Sequence, residues 1–165
     1  MDRYQVRAAA NLLNLSTPLG LLVALAGRAR LRRGPRGLVL ASGFRLGSGG
    51  PASARAHSHP PNLRLPPAFT VGNVVISPRP AGYLDERPAL LAHEERHSWQ
   101  YVACLGLPFL PLYAVAAAWS LVRGGDVGVH NPFERLAGLA DGGYPLVSAR
   151  ERRRRATTPR PTPAG

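Results

Sequence analysis

The feature that most constrains this chain is a helix whose two ends are both marked in the sequence. Asp85 is an N-cap candidate, and Pro88 follows close to the predicted start of the helix, where proline is well tolerated. Gly106 indicates the other end. Between these limits, His93 to His97 read H-E-E-R-H, an H-E-x-x-H pattern. The sequence therefore predicts that both histidines lie on one well-delimited helix.

Histidines four residues apart on a helix lie one above the other, so His93 and His97 can bind one metal ion. Glu94 is rotated about 100° from that pair, where it can reach a water on the ion without binding the ion itself. Zinc lowers the pKa of such a water to about 7, and a nearby carboxylate can take the proton. We therefore expect Zn²⁺ at this helix and Glu94 as a general base.

A catalytic zinc usually has three protein ligands, so one more is expected downstream of the motif. A second helix is predicted to begin at Asn131, its N-cap, and to continue to residue 143. Glu134 lies in the first turn of that helix and is the leading ligand candidate; the alternative is that a glutamate at this position compensates the helix dipole. His130 is the alternative ligand. Asp141, two turns after Glu134, is a candidate for orienting a ligand by hydrogen bonding.

An H-E-x-x-H helix followed by a glutamate on a later helix resembles the gluzincin branch of the zinc metallopeptidases. The span Leu91–Tyr144 is also similar to small uncharacterised zincin-like proteins of high-GC bacteria. The resemblance implies a peptide or protein substrate, Glu94 as the general base, and a strand before the helix that pairs with an extended peptide. It also implies that zinc is held by three side chains, those of His93, His97 and Glu134.

The chain departs from this pattern in two respects. No third histidine follows His97 at the short spacing typical of metzincins. No tyrosine or histidine stands at an obvious position to hold an oxyanion, which leaves Tyr101 and Tyr144 as candidates. The leading hypothesis is a zinc-dependent metallopeptidase. The alternative is a non-catalytic, zinc-stabilised module at a membrane surface that binds lipid or a protein partner.

The predicted fold class is α+β: a small zincin-like domain with the H-E-x-x-H helix, a second ligand-bearing helix and a short β-sheet or hairpin. Residues 37–42 read as a short strand after a Gly-Pro turn. Residues 68–77 are rich in β-branched side chains and read as one strand ending at Pro78. Gly72 inside that segment indicates a bulge or a close backbone approach.

All 21 basic residues are arginine, and most of the net charge of +12 lies at the two ends of the chain. The predicted organisation is an apolar and basic N-terminal extension, residues 1–36, then a metal-binding domain, residues 37–148, with a flexible loop at 46–62. A disordered arginine-rich tail, residues 149–165, follows. No aromatic residues alternate with the arginines of the tail, so base stacking is unsupported and nucleic acid is disfavoured. The arginine run of the tail is first interpreted as a solvated charge run, and the alternative partner of the two ends is an anionic membrane surface.

Two uncharged stretches bear on location. Residues 8–27 suit a signal peptide, a membrane span or a helix at a core surface or bilayer interface. The third interpretation is favoured, because arginines follow the stretch directly and polar residues interrupt it. Residues 98–122 are long enough to cross a bilayer, but Pro108 and Pro111 divide them, which favours two buried helices packed as a hairpin. The expected location is intracellular with possible membrane association, and secretion is disfavoured.

Overall fold

A computed structural model of the chain describes residues 1–45 and 66–157. These residues form a mixed helix and sheet architecture, which confirms the α+β prediction. The chain divides into two compact units, Met1–Phe109 and Leu110–Gly165. The predicted loop at 46–62 lies outside the described residues.

The first unit contains three helices and a four-stranded sheet among its described residues. In chain order these are α1 Arg3–Leu13, α2 Ser16–Ala26, β1 Arg30–Arg33, β2 Val39–Ser42, β3 Phe69–Val71, β4 Val74–Ser77 and α3 Pro88–Ala103. The strand order is β1-β2-β4-β3, with β2 and β4 parallel and the other neighbours antiparallel. The core beneath the sheet is formed by Leu38, Leu40, Ala68, Val75, Leu84 and Leu90.

The segment 68–77 is a hairpin rather than the single strand predicted. The chain reverses at Gly72 and Asn73, where Gly72 has a φ of +61°. The predicted close approach is confirmed, since a side chain at Gly72 would meet the backbone of Ser16 and Thr17. A two-residue Gly-Asn turn between valines is a hairpin signal, and it outweighs the continuous β-branched pattern.

The N-terminal residues belong to the first unit rather than to a separate extension ending at residue 36. Helices α1 and α2 both contact other elements of the unit, and β1 pairs with β2 as an edge strand of the sheet. The uncharged stretch 8–27 forms two helices, because Asn14 and Leu15 interrupt it. Among the described residues, no single helix is long and apolar enough to cross a bilayer, and α1 and α2 pass that test only as a pair bent by 75°.

The second unit begins at Leu110, the second residue of the next helix. Its helices are α4 Phe109–Gly124, α5 Pro132–Ala137 and α6 Ala149–Thr157. The division of residues 98–122 between two helices is confirmed, but α4 is not a buried helix. Val115, Trp119 and Val122 on it are exposed.

Residues 149–157 form helix α6, where the sequence predicted a disordered tail. Its first turn is held by side chains from outside the arginine run: Asp126 accepts from the Ala149 N–H at 3.0 Å, and Ser148 accepts from the Glu151 N–H at 3.2 Å. Glu151 also pairs with Arg155 one turn on, at 2.7 Å. Arginine itself is a good helix former. Residues 158–165 lie outside the described part of the chain.

Candidate metal centre

Helix α3 carries the H-E-E-R-H motif, as predicted, and it begins at Pro88 after an N-cap at Arg87. The predicted N-cap, Asp85, is wrong: its carboxylate instead accepts a 2.6 Å hydrogen bond from Arg32 on β1. Proline at the first helical position needs no partner for a backbone N–H. The helix start is therefore compatible with an N-cap residue that makes no side-chain hydrogen bond.

The side chains of His93 and His97 meet on one face of α3, and both are buried. Their Nε2 atoms lie 3.0 Å apart, and the ring planes are nearly perpendicular. Two ligands at the usual Zn–N distance of about 2.0–2.1 Å in a tetrahedral site would lie about 3.3 Å apart. The separation of the two nitrogens is therefore close to what one shared ion requires.

Glu134 lies in the first turn of α5, where the sequence placed it, and its side chain is buried. The predicted N-cap is confirmed, because the Asn131 side chain accepts from the Phe133 N–H at 3.0 Å. One ligand atom from each of His93, His97 and Glu134 lies within 4.8 Å of the others. The three leading ligand candidates thus form a buried group that could hold a metal ion.

The donor set also fits a metal chemically. Two imidazole nitrogens and one carboxylate oxygen are ligands that zinc uses in catalytic sites. Ligand atoms about 2.0–2.2 Å from a tetrahedral ion lie about 3.3–3.6 Å apart. The two histidine nitrogens are near that separation, and the ligand atoms of the group lie within 4.8 Å of one another, so they would have to approach by up to about 1.5 Å to share one ion.

The two other sequence candidates are not members of this group. His130 is half-buried, and its backbone N–H donates to Ser120 at 2.9 Å. Asp141 does not lie on α5, because that helix ends at Ala137 and Gly138 has a φ of +89°. The helix predicted to residue 143 is therefore shorter than expected, and the spacing argument that linked Asp141 to Glu134 does not apply.

Gln100 holds His97 in place, a role that the sequence analysis did not assign. Its Oε1 lies 2.8 Å from Nδ1 of His97, one turn away on α3. If Nδ1 carries the proton and donates to Gln100, Nε2 is left as the nitrogen that can bind a metal. Hydrogen bonds of this kind fix the tautomer and the ring orientation of histidine ligands. The spacing of three residues on a predicted helix was the signal that could have identified Gln100.

Thr70 holds Glu94, and this contact was also missed. The Thr70 hydroxyl, on β3, donates to Oε2 of Glu94 at 2.7 Å. Both residues are buried. Tyr101 in turn donates to the backbone carbonyl of Thr70 at 3.3 Å. Because Thr70 precedes Glu94 by 24 residues, only the packing of the hairpin beside α3 brings the pair together.

Tyr113 on α4 donates its hydroxyl proton to Oε1 of Glu134. Burial raises the pKa of Tyr113 far above its ordinary value, and neighbouring Tyr144 and Glu134 raise it further. Burial likewise raises the pKa of Tyr101. Both hydroxyls therefore remain protonated donors. Of the tyrosines considered for an oxyanion site, Tyr101 contacts Thr70, and Tyr144 is a neighbour of Tyr113.

A buried ion pair on another face of α3 connects this helix to α1. Arg7 on α1 is fully buried and donates to Glu95 at 2.7 Å, and Arg36 donates to the same carboxylate at 2.6 Å. Arg7 also donates to Asn73 Oδ1 at 3.1 Å. Burial lowers the pKa of Arg7, while the hydrogen bond with Glu95 raises it. Since Glu95 directly follows Glu94, these contacts set the rotation of α3 about its axis.

No protein-family model matches this chain, and neither a curated protein nor a solved structure matches it. The similarity to gluzincins therefore depends on the H-E-E-R-H motif and on the His-His-Glu group alone.

Proposed function

We propose that this protein is a zinc-dependent hydrolase that cleaves peptide bonds. The observation that carries the proposal is the buried group of His93, His97 and Glu134, together with a carboxylate, Glu94, that directly follows the first ligand and is held by Thr70. A site for metal binding alone needs the three ligands. A hydrolase also needs a positioned proton acceptor, and Glu94 meets that need.

Zinc suits this donor set because it readily takes imidazole and carboxylate ligands and leaves a fourth position for water or substrate. When bound, zinc would supply a lowered water pKa and a polarised substrate carbonyl. Binding of the ion and orientation of its ligands depend on side chains of the protein. His93, His97 and Glu134 would hold the ion, and Gln100 and Tyr113 would orient His97 and Glu134 through their hydrogen bonds.

Glu94 would move the protons of the reaction. Its carboxylate accepts a proton from the attacking water and returns it to the amide nitrogen as the peptide bond breaks. The Thr70 hydroxyl holds one oxygen of that carboxylate and so limits its rotation. Burial of Glu94 removes competing bulk water, which strengthens its interaction with a developing charge.

The substrate would be an extended peptide lying along β3. This strand is at the end of the strand order, and Thr70 within it contacts Glu94. A peptide at the outer edge of β3 would lie beside the proton acceptor, but it would have few backbone groups to pair with, because the Thr70 carbonyl already accepts from Tyr101. The short length of β3, Phe69–Val71, would limit that pairing to a few residues.

The decisive experiment compares Glu94→Gln with the parent chain on a mixed peptide library read by mass spectrometry. We expect Glu94→Gln to retain its zinc and to lose cleavage by at least about a hundredfold, the usual scale of general-base catalysis. Glu86→Gln, at an exposed glutamate, is the matched control and should behave as the parent. If the parent binds zinc and neither chain cleaves any peptide, the non-catalytic zinc-stabilised module is the correct function.

A further inference from the structure

We propose that the first unit inserts a leucine-tipped elbow into one leaflet of an anionic membrane. The elbow is defined by Leu12, Leu13 and Leu15, at the bend between α1 and α2, and by Leu105, in the turn after α3. All four side chains are more than half exposed, and those of Leu13 and Leu105 are exposed by 82% and 81%. This surface is separate from the proposed metal centre, and it would give the protein a second binding partner, the membrane.

The two turns that form the elbow lie against each other. A Cβ atom added at Gly106 would come within 2.6 Å of Asn14 Cγ and 2.7 Å of the Asn14 carbonyl oxygen. Gly106 directly follows Leu105, and Asn14 lies between Leu13 and Leu15. The four leucines therefore belong to one surface, although 90 residues separate the two turns in the sequence.

The backbone N–H groups of the two turns are satisfied within the protein, which lowers the cost of placing the elbow among lipids. The N–H groups of Asn14 and Leu15 donate to Ala10 and Leu12, at 2.9 and 3.2 Å. Those of Leu105 and Gly106 donate to Val102 and Tyr101, at 3.1 and 2.7 Å. The Asn14 side chain accepts from the Ser16 N–H at 3.1 Å. Irregular backbone tolerates a lipid environment only when its hydrogen bonds are made within the protein.

Two of the leucines are held in a backbone conformation that disfavours them. Leu15 and Leu105 have φ values of 66° and 59°, in the left-handed region where glycine is the usual residue. Glycine would ease the backbone at both turns, and both side chains point outward. An exposed apolar side chain at a position suited to glycine indicates a role outside the fold of the unit.

Charge identifies the partner as an anionic lipid surface. Residues 8–27, which include three of the four elbow leucines, carry no charge, and exposed Arg3, Arg28 and Arg30 flank the two helices at their far ends. Helix α2 has 11 residues and is about 16 Å long, so Arg28 lies about that distance from the elbow. Interfacial segments enter a bilayer by about 5–10 Å. With the elbow at that depth, the arginines reach the layer of anionic headgroups.

The test uses the full chain and a variant that the fold should accept, Leu15→Gly with Leu105→Gly. Its thermal midpoint should equal or exceed that of the parent, because glycine suits both φ values. We expect the parent to float with mixed phosphatidylcholine–phosphatidylglycerol vesicles, and the variant to bind them at least about tenfold more weakly. Leu146→Gly, at an exposed leucine outside the elbow, is the control and should bind as the parent.

A second measurement locates the contact. Leu105→Cys in a Cys104→Ser background, labelled with an environment-sensitive fluorophore, should shift its emission to the blue when these vesicles are added. Leu146→Cys in the same background should not. Equal vesicle binding by the parent and the double-glycine variant would assign binding to the arginines alone and overturn the proposal. Failure of the parent to bind, or a dimer in solution that the double-glycine variant abolishes, would also overturn it.

Discussion

The Thr70 hydroxyl donates a 2.7 Å hydrogen bond to Oε2 of Glu94. The edge strand of the sheet is thereby connected directly to the carboxylate beside the metal-ligand candidates. A single side chain both belongs to the proposed peptide-binding strand and positions the proposed proton acceptor. This relationship makes Thr70 the first residue to change.

Thr70→Val should reduce peptide cleavage by about tenfold to a hundredfold, because a poorly oriented carboxylate transfers protons less efficiently. Zinc content should remain that of the parent, because the hydrogen bonds of the Thr70 hydroxyl go to Glu94 and not to a metal-ligand candidate. Thr70→Ser retains the hydroxyl and should restore most of the activity. Loss of zinc in Thr70→Val would show instead that the residue supports the fold of the site.

Gln100→Ala should weaken zinc binding by about 10–100-fold, which is the usual effect of removing a hydrogen-bond partner from a histidine ligand. The physical reason is that Nδ1 of His97 loses the acceptor 2.8 Å away that fixes its tautomer. Competition with a chromophoric chelator measures the change. Gln100→Glu keeps an acceptor oxygen and should bind zinc at least as tightly as the parent, and equal affinities for all three chains would contradict the assignment.

Arg7→Met should destabilise the chain by about 3–5 kcal/mol, because it leaves part of a buried carboxylate uncompensated. Arg7 is fully buried against Glu95, whereas the side chain of Arg36, which contacts the same carboxylate, is 53% exposed. Arg36→Met should therefore cost less than about 1 kcal/mol. Urea unfolding followed by circular dichroism measures the free energy of unfolding of both variants. Equal losses of stability would show that the burial of Arg7 does not strengthen its ion pair with Glu95.

Stability should fall as the pH rises above about 10, where tyrosines ionise in the unfolded chain. Burial raises the pKa of Tyr101 above its ordinary value, so the folded chain retains a proton that the unfolded chain releases. This contribution is complete below pH 10 and is lost as the pH rises further. Urea midpoints across this range should decline less steeply in Tyr101→Phe. A decline of equal steepness in Tyr101→Phe and in the parent would contradict this assignment.

Local sequence signals predicted the parts of the site that depend on one helix at a time. The spacing of His93 and His97 predicted their shared face, and the cap at Asn131 predicted the position of Glu134. Thr70 and Tyr113 were missed because their contacts join residues 24 and 21 positions apart, which no helical or strand period encodes.

Competing local signals explain why two parts of the fold were predicted wrongly. The Gly72 turn was hidden by a continuous apolar and β-branched pattern, which is typical both of one long strand and of a buried hairpin. Helix α6 was missed because its N-terminus is held by Asp126, more than 20 residues away. For α6 a tertiary contact decides between two local structures, whereas the hairpin follows from a local turn signal that the apolar pattern obscured.

Metal analysis of the purified chain tests the central claim most directly. The parent, His93→Ala and Glu134→Ala chains are dialysed against zinc, and their zinc content is measured by plasma mass spectrometry. The parent should hold one zinc ion per chain. His93→Ala should hold almost none, and Glu134→Ala should bind zinc much more weakly. Full zinc affinity in Glu134→Ala would overturn the assignment of Glu134 as the third ligand. A parent without stoichiometric zinc, whose stability His93→Ala leaves unchanged, would contradict the metal centre.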